Sequence, residues 1–413
     1  MQTSISERYR TTPETQDADG ILRSCVHCGF CTATCPTYQL TGDELDGPRG
    51  RIYLMKQVLE GRPATRSTQL HLDRCLTCRS CETTCPSGVE YGKLLDIGRR
   101  VVDHQVSRPL RQRLARAALR AVLPRAWLFK PVLRSAQMMR PLLPSSLRAK
   151  VPTERQAAPW PQRQHARRIL LLDGCVQPAL APSINVAAAR VLDAVGVQLI
   201  VAPKAKCCGA IRHHLDDQDG AMADARRNID AWWPWVEGMD GGVVVEAILM
   251  TASGCGAMVK DYAHLLRHDP VYADKAARIS ALTHDLSTIV ARFKTELEPL
   301  LRKRRARVVY HPPCTLQHGQ QVRGQVEELL RLAGVDVHIC ADSHLCCGSA
   351  GTYSMLQPAL ATKLRDDKLA KLGANAPDMI VSANIGCLTH LQSGTDTPVR
   401  HWIELLDAAI DRG

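Results

Sequence analysis

The sequence predicts an α/β protein: a helical, cysteine-bearing amino-terminal region, then a duplicated α/β half whose two lobes carry parallel sheets. Three observations lead there. Eight cysteines in the first quarter fall into two copies of one spacing, Cys-x2-Cys-x2-Cys-x3-Cys-Pro, at Cys25, Cys28, Cys31, Cys35 and at Cys75, Cys78, Cys81, Cys85. Residues 166–413 repeat themselves, Cys175 being followed after 31 residues by Cys207-Cys208-Gly209 and Cys314 after 31 residues by Cys346-Cys347-Gly348. Short apolar runs in that half alternate with helical stretches, as parallel strands joined by crossover helices require. The segments read as 1–105 for the cysteine runs, 106–165 for a basic connector, 166–300 for the first lobe and 301–413 for the second.

The first region is built around its thiols. Three closely spaced cysteines followed by Cys-Pro form the ligand run of a two-cluster bacterial ferredoxin, in which the fourth cysteine turns to the neighbouring cluster. Cys25, Cys28, Cys31 and Cys85 are therefore assigned to one 4Fe-4S cluster, and Cys75, Cys78, Cys81 and Cys35 to the other. Zinc sites favour two separated Cys-x2-Cys pairs, and seventeen cysteines in a long chain without a secretory leader point to thiol and metal chemistry rather than disulfides. Between the runs, Pro48 and Gly50 precede a helical pattern of Ile52, Leu54, Met55, Val58 and Leu59 closed by Gly61. After them, VEYGKLLDIGRRVVDHQ reads as a second helix. Arg49 and Arg51 read as surface arginines, with offsetting of cluster charge or contact with a partner as their other uses.

Charge is concentrated in the connector. Residues 107–150 hold nine Arg and two Lys without Asp or Glu, against +12 for the whole chain, so one docking surface is implied rather than a nucleic-acid-binding protein. Pro109, Pro124, Pro131, Pro141 and Pro144 are expected to cut it into short helices. Leu110, Leu114, Ala117, Ala118 and Ala121 recur at helical spacing among arginines, and Trp127, Phe129, Met138 and Met139 add apolar bulk. Such a segment lies in the headgroup layer of an anionic membrane or straps onto protein, and sequence leaves both open. No run of eighteen apolar residues occurs.

In the lobes, ILLL, VQLIV and VVVEAIL, then VVYH, VDVHIC and MIVS, read as strands. Cys175, Cys255, Cys314 and Cys387 each lie just past one, at the strand ends where ligands gather on open parallel sheets. His284 and His401 fall in similar places within the closing helical tails, and LRKRRARVVY reads as a solvated basic boundary.

The lobes resemble the CCG domain of heterodisulfide reductase subunits and of iron-sulfur subunits of flavin dehydrogenases. In the reductases, five cysteines hold a non-cubane cluster. Here Met258 and His390 stand at the final cysteine positions, which leaves Cys175, Cys207, Cys208, Cys255 and Cys314, Cys346, Cys347, Cys387. Each set reads as a further metal or cluster site, as redox-active or cofactor-contacting thiols, or as buried inert cysteine. His311, His318 and Cys340 are additional candidates in the second lobe.

Nearly the full length resembles the iron-sulfur subunit of glycolate oxidase (glycolate dehydrogenase), most specifically through DGPRGRIYLMKQVLEG at 46–61 and DRCLTCRSCETTCPSGVEYGKLLDIGR at 73–99. That resemblance implies a subunit of an oxidoreductase, without catalytic residues of its own, that receives electrons from FAD on partner subunits. The partners, by that resemblance, convert glycolate to the oxo acid, with D-lactate as a further substrate. The resemblance further implies a cytoplasmic chain, peripheral on the inner membrane, delivering to quinone. The absence of a Gly-x-Gly-x-x-Gly loop agrees with flavin lying elsewhere. The iron-sulfur subunit of anaerobic glycerol-3-phosphate dehydrogenase and a heterodisulfide reductase-like thiol enzyme are the alternatives.

Overall fold

The computed structural model describes residues 1–10, 12–144, 148, 151–239 and 244–411. Packing divides the chain into two compact units, one of residues 1–117 with 344–364, the other of 118–343 with 365–413.

The first unit is helical. Helix α1 spans Pro13–Ser24, α2 Pro48–Leu59, α3 Arg66–Asp73 and α4 Tyr91–Gln105. Pro13 and Pro48 sit in the first turns of their helices, where the missing N–H costs nothing. A Thr65–Thr68 capping box starts α3. Leu22 of α1, Met55 and Leu59 of α2, and Leu94 and Leu95 of α4 form a common core with no exposed surface. Each such side chain contributes roughly 1.5–3 kcal/mol relative to exposure. The two helices expected around the second cysteine run, α2 and α4, are therefore present and packed together.

The connector forms α5, Leu110–Val122, and α6, Ala126–Met139. Pro109 and Pro124 flank these helices as expected, but α6 runs through Pro131. Pro131 is its sixth residue and removes only the hydrogen bond to the Trp127 carbonyl, on a helix with one buried residue, Leu133, so water is at hand to replace it. Among the described residues no helix is long and apolar enough to cross a membrane.

The second unit contains two four-stranded parallel sheets of identical topology, ordered β2-β1-β3-β4 and β6-β5-β7-β8. The strands are β1 Arg167–Leu171, β2 Val197–Val201, β3 Ile248–Met250 and β4 Thr283–Asp285, then β5 Arg307–His311, β6 Asp336–Ile339, β7 Met379–Ser382 and β8 Val399–His401. Helix α7, Ser183–Ala194, makes the crossover from β1 to β2. Helix α8, Gln218–Val236, buries Trp232 completely in the first lobe's core. The stretch 302–305 is exposed, as its charge requires.

The last strand of each sheet, three residues long, escapes sequence patterning. Met250 pairs with Asp285 and Ser382 with His401, so Asp285 rather than His284 is the counterpart of His401. Both cap the helix that follows, α10 Leu286–Ala291 and α12 Trp402–Ala409, with α9 (Ser253–Lys260) preceding the first and α11 (Ile385–Gln392) the second. His401 Nδ1 accepts from the Ile403 N–H at 3.3 Å, which leaves Nε2–H to donate to the Thr251 carbonyl at 3.0 Å. Burial holds this imidazole neutral, pulling its pKa down to about 4, while burial pushes the Asp285 carboxyl up to about 6.

The two shifts act oppositely on stability. Unfolded histidine takes up its proton near pH ~6.5 and native His401 near 4, so this contribution is complete above ~6.5 and is lost as pH falls. The Asp285 contribution is complete below ~4 and is lost as pH rises through 6. A shift of that size is worth about 3 kcal/mol. His401→Asn, which keeps a capping side chain, should remove about 3 kcal/mol of the stability lost between pH 7 and 4 in urea titrations. An unchanged profile would refute the assignment.

Candidate iron-sulfur site and the cysteine-rich lobes

The two cysteine loops share a backbone form. His27 and Gly29 in the first, and Thr77 and Arg79 in the second, all have positive φ, between 52° and 87°. Left-handed residues at the second and fourth positions after the first cysteine curl each loop around the space its sulfurs face. Three of the four are not glycine, at roughly 1–3 kcal/mol each, so the surrounding packing enforces the shape. The curl aims backbone donors inward: the Thr77 N–H reaches Cys75 Sγ at 3.4 Å. The short helices Phe30–Ala33 and Ser80–Thr84 then carry Cys31 and Cys81.

The fourth cysteine of each run stands with the other run. A cavity is lined by Cys25, Cys28, Cys31 and Cys85, with Cys81 also bordering it. The charged neighbours of Cys31 are Cys25, Cys28 and Cys85, whereas those of Cys81 include Cys78, Cys75 and Cys35. Burial pushes the Cys31 thiol up to about 11, with the three neighbouring thiols adding to it, and burial raises Cys25 and Cys81 as well. Such thiols ionise only when a metal displaces their protons. None of the seventeen cysteines is in a disulfide. Two groups of four soft donors fit two cubanes. The first group has Cys28 exposed, Cys31 and Cys85 half-buried and Cys25 buried, whereas the second has Cys35, Cys75 and Cys81 buried and Cys78 half-buried, so the first lies nearer solvent and the second is the more shielded.

A buried polar network backs the second group. Cys35 Sγ lies 3.3 Å from Thr37 Oγ1, which receives both Arg51 Nη1 and Nη2 at 3.2 Å. Arg51 Nε donates to the His71 carbonyl at 2.7 Å. Asp46 accepts from Arg74 at 2.8 Å and pairs with His71 Nδ1 at 2.8 Å, with Arg51 at 3.8 Å. Asp43, Asp46 and His71 bring ligand atoms within 4.8 Å of one another, but the guanidiniums already supply the positive charge there. Tyr91, fully enclosed, donates its hydroxyl to Cys75 Sγ at 3.6 Å.

Arg51 is thus not the surface arginine the sequence suggests: it is 1% exposed. It lies on the stripe of α2 that also holds Met55 and Val58, at helical spacing, and that periodicity was the available signal. Arg49, by contrast, is 38% exposed and salt-bridged to Glu44 at 2.7 Å.

In the first lobe, Cys175 follows β1, Cys207 and Cys208 follow β2, and Cys255 lies in α9 after β3. These are the carboxyl ends of neighbouring strands where the strand order reverses, the usual binding crevice of such sheets. Hydrogen bonds link Cys175 to Cys207, Cys207 to Cys208, and Cys208 to Cys255. Donation from Cys175 and Cys208 pulls Cys207 well below the usual thiol range despite burial, and the same bonds raise its two donors. Gly209 has φ of +93°, and Met258, at the absent fifth cysteine, packs 3.5 Å from where its Cβ would stand.

In the second lobe, Cys314 follows β5 and Cys387 lies in α11 after β7, with the Asn384 amide 3.6 Å from its sulfur. Cys346 and Cys347 follow β6 in sequence but belong to the 344–364 segment of the first unit. There burial raises the Tyr353 hydroxyl well above the usual phenol range, and Arg51, Cys75 and Cys346 are among its charged neighbours. His311 is buried, its pKa pulled down to about 3 by desolvation, with Nδ1 3.1 Å from Ser382 Oγ. His318 is buried, Cys340 is buried with its thiol raised by desolvation, and His390 is half-buried.

Comparison with known proteins adds the following. Residues 21–89 match the 4Fe-4S dicluster domain, and residues 169–260 and 308–392 match the cysteine-rich CCG domain. The chain is 53% identical to the glycolate oxidase iron-sulfur subunit of Escherichia coli, over all of both chains. It is 29% identical to the probable glycolate oxidase iron-sulfur subunit of Bacillus subtilis, over 92% of this chain and 90% of that one. Lactate utilization protein A of Exiguobacterium is 23% identical over 59% of this chain and 98% of that protein. A hypothetical protein from Helicobacter pylori has a similar fold, with a TM-score of 0.55 at 11% identity over 98% of this chain and 74% of that one.

Proposed function

The chain belongs to the glycolate oxidase iron-sulfur subunit family, and we propose that it takes electrons from a flavin-bearing partner and delivers them to quinone at a membrane surface. It is the electron-transfer subunit of an oxidoreductase complex, with two 4Fe-4S clusters of its own and FAD on the partner. The observation that carries this is the full-length likeness, ferredoxin pair and both lobes included.

A 4Fe-4S cluster takes up and passes on one electron at a time. Oxidation of glycolate to glyoxylate releases two electrons and two protons, which the partner's flavin accepts before the electrons leave singly. In this reading Cys25, Cys28, Cys31 and Cys85 hold the entry centre, next to solvent-exposed Val26 and Phe30. Cys75, Cys78, Cys81 and Cys35 hold the shielded one, where Tyr91 and the Thr77 N–H orient Cys75 and Leu76 is buried next to it. The first-lobe thiols Cys175, Cys207, Cys208 and Cys255 are the candidate third centre. Co-purification tests the reading: a partner bringing FAD and glycolate-dependent dye reduction supports it, and glycerol-3-phosphate-dependent reduction would overturn it. Anaerobic iron counts near eight per chain mean two cubanes alone, and a substantially larger count loads the lobe.

The connector is the proposed membrane contact. The side chains of Arg108 and Arg116 are 7% and 8% exposed and bonded to Asp73, so they hold the first unit together. Arg111, Arg113, Arg125 and Lys130 are exposed instead, with Trp127 on α6 72% exposed and Met138 81%. Basic side chains near an anionic surface contribute about 1 kcal/mol each. Neutralising these four to Gln together with Trp127→Ser should weaken sedimentation with anionic phospholipid vesicles at least about a hundredfold. Unchanged binding would assign the connector to protein packing.

A further inference from the structure

We propose that Arg51 makes the centre held by Cys35, Cys75, Cys78 and Cys81 the higher-potential one of the two, so that an electron entering the chain comes to rest there. The inference rests on the reading of those cysteines as cluster ligands. Arg51 is 1% exposed, and its guanidinium donates to Thr37 Oγ1 through both terminal nitrogens at 3.2 Å. Thr37 Oγ1 is 3.3 Å from Cys35 Sγ, so a permanent cation stands one hydroxyl away from a ligand sulfur. Arginine does not lose its proton in proteins, and charge this deep is little screened by water or salt.

The surrounding charges do not cancel it. Asp46 is the carboxylate of the network, and it is shared between Arg74 at 2.8 Å and Arg51 at 3.8 Å. Against these two guanidiniums stand one buried carboxylate, Asp46, and the exposed Asp43, whose charge water screens, so a net positive charge remains behind the sulfurs. Arg99 adds another buried guanidinium, donating to the Cys75 carbonyl at 3.0 Å. On reduction the cluster gains one electron supplied through the partner's flavin, with no bond broken and no proton required. A fixed positive charge stabilises that extra negative charge and raises the potential. Near the other centre, Arg49 beside Gly29 is 38% exposed and paired with Glu44, and the Met1 ammonium that donates to the Cys25 carbonyl at 2.7 Å is only partly buried, so neither matches the enclosed Arg51.

Anaerobic redox titration of the full chain, followed by electron paramagnetic resonance with iron and sulfide counted, is the test. About eight irons and two reducible signals establish the ligand reading on their own. Their absence would remove that reading and this inference together. With them present, Arg51→Met should lower the reduced-to-oxidised ratio of one centre at fixed potential at least tenfold, about 59 mV for a one-electron couple. The affected signal should be the one that Cys78→Ala abolishes, and Arg51→Lys, which keeps the charge, should restore most of the ratio. Asp46→Asn, which removes the opposing charge, should shift the same centre the other way, at least threefold. That opposite sign cannot come from loosened packing, so it decides the matter even if Arg51→Met loses iron. Equal shifts of both centres, or no rise with Asp46→Asn, would overturn the proposal.

Discussion

Cys85→Ala is expected to halve the iron content, from about eight to about four per chain, and to stop electron delivery while substrate still reduces the partner's flavin. Cys85 lies in the second run but stands with Cys25, Cys28 and Cys31, so the double variant Cys28→Ala, Cys85→Ala damages one centre twice. About four irons should remain in it. Cys78→Ala combined with Cys85→Ala strikes both centres and should leave almost none. Were each run to hold its own cluster, these two outcomes would be exchanged. Stopped-flow absorbance separates the flavin from the clusters, and a flavin that fails to reduce in Cys85→Ala would place the chemistry on this chain.

Gly50→Ala should destabilise the protein by about 3 kcal/mol or more, at the top of the range for an over-filled interior. A Cβ there would sit 2.1 Å from the Glu44 carbonyl oxygen and 2.9 Å from Leu45 Cα. Those are backbone atoms and cannot swing aside, so α2 must retreat from the turn that holds Asp46. The Arg51 and Asp46 bonds should loosen with it. Gly20→Ala is the control: nothing lies within 4 Å of its Cβ, and an alanine inside α1 should stabilise by roughly 0.5–1 kcal/mol. Denaturant midpoints read both, and a Gly50→Ala change within about 0.5 kcal/mol would refute the close approach.

Sequence spacing alone carries much of this architecture. Thiol spacing marks the eight cysteines of the ferredoxin runs, and the 139-residue offset marks two lobes before any strand is placed. The apolar runs of β1, β5 and β7 are long enough to betray buried parallel strands. β4 and β8 are not: Thr-His-Asp and Val-Arg-His are three residues each, with polar members that are buried by capping rather than by pattern. The left-handed residues His27, Thr77 and Arg79 carry no sequence mark, because glycine is the usual one and only Gly29 shows it. Arg51 was legible in position but not in meaning, since a charged residue on an apolar stripe is normally taken for a boundary residue. Pro131 shows the converse, a strong local signal overridden where one lost hydrogen bond faces water.

The pairing of residues 344–364 with 1–117 bears on how the protein is made. Segments of a nascent polypeptide fold as they leave the ribosome, at about 5–20 residues per second. The first unit stays incomplete until some 250 further residues have been translated, roughly ten to fifty seconds later at that pace. Metal inserted earlier would meet a unit still lacking Tyr353, the neighbour of Arg51 and Cys75, so the order of biosynthesis favours loading after residue 364 has emerged.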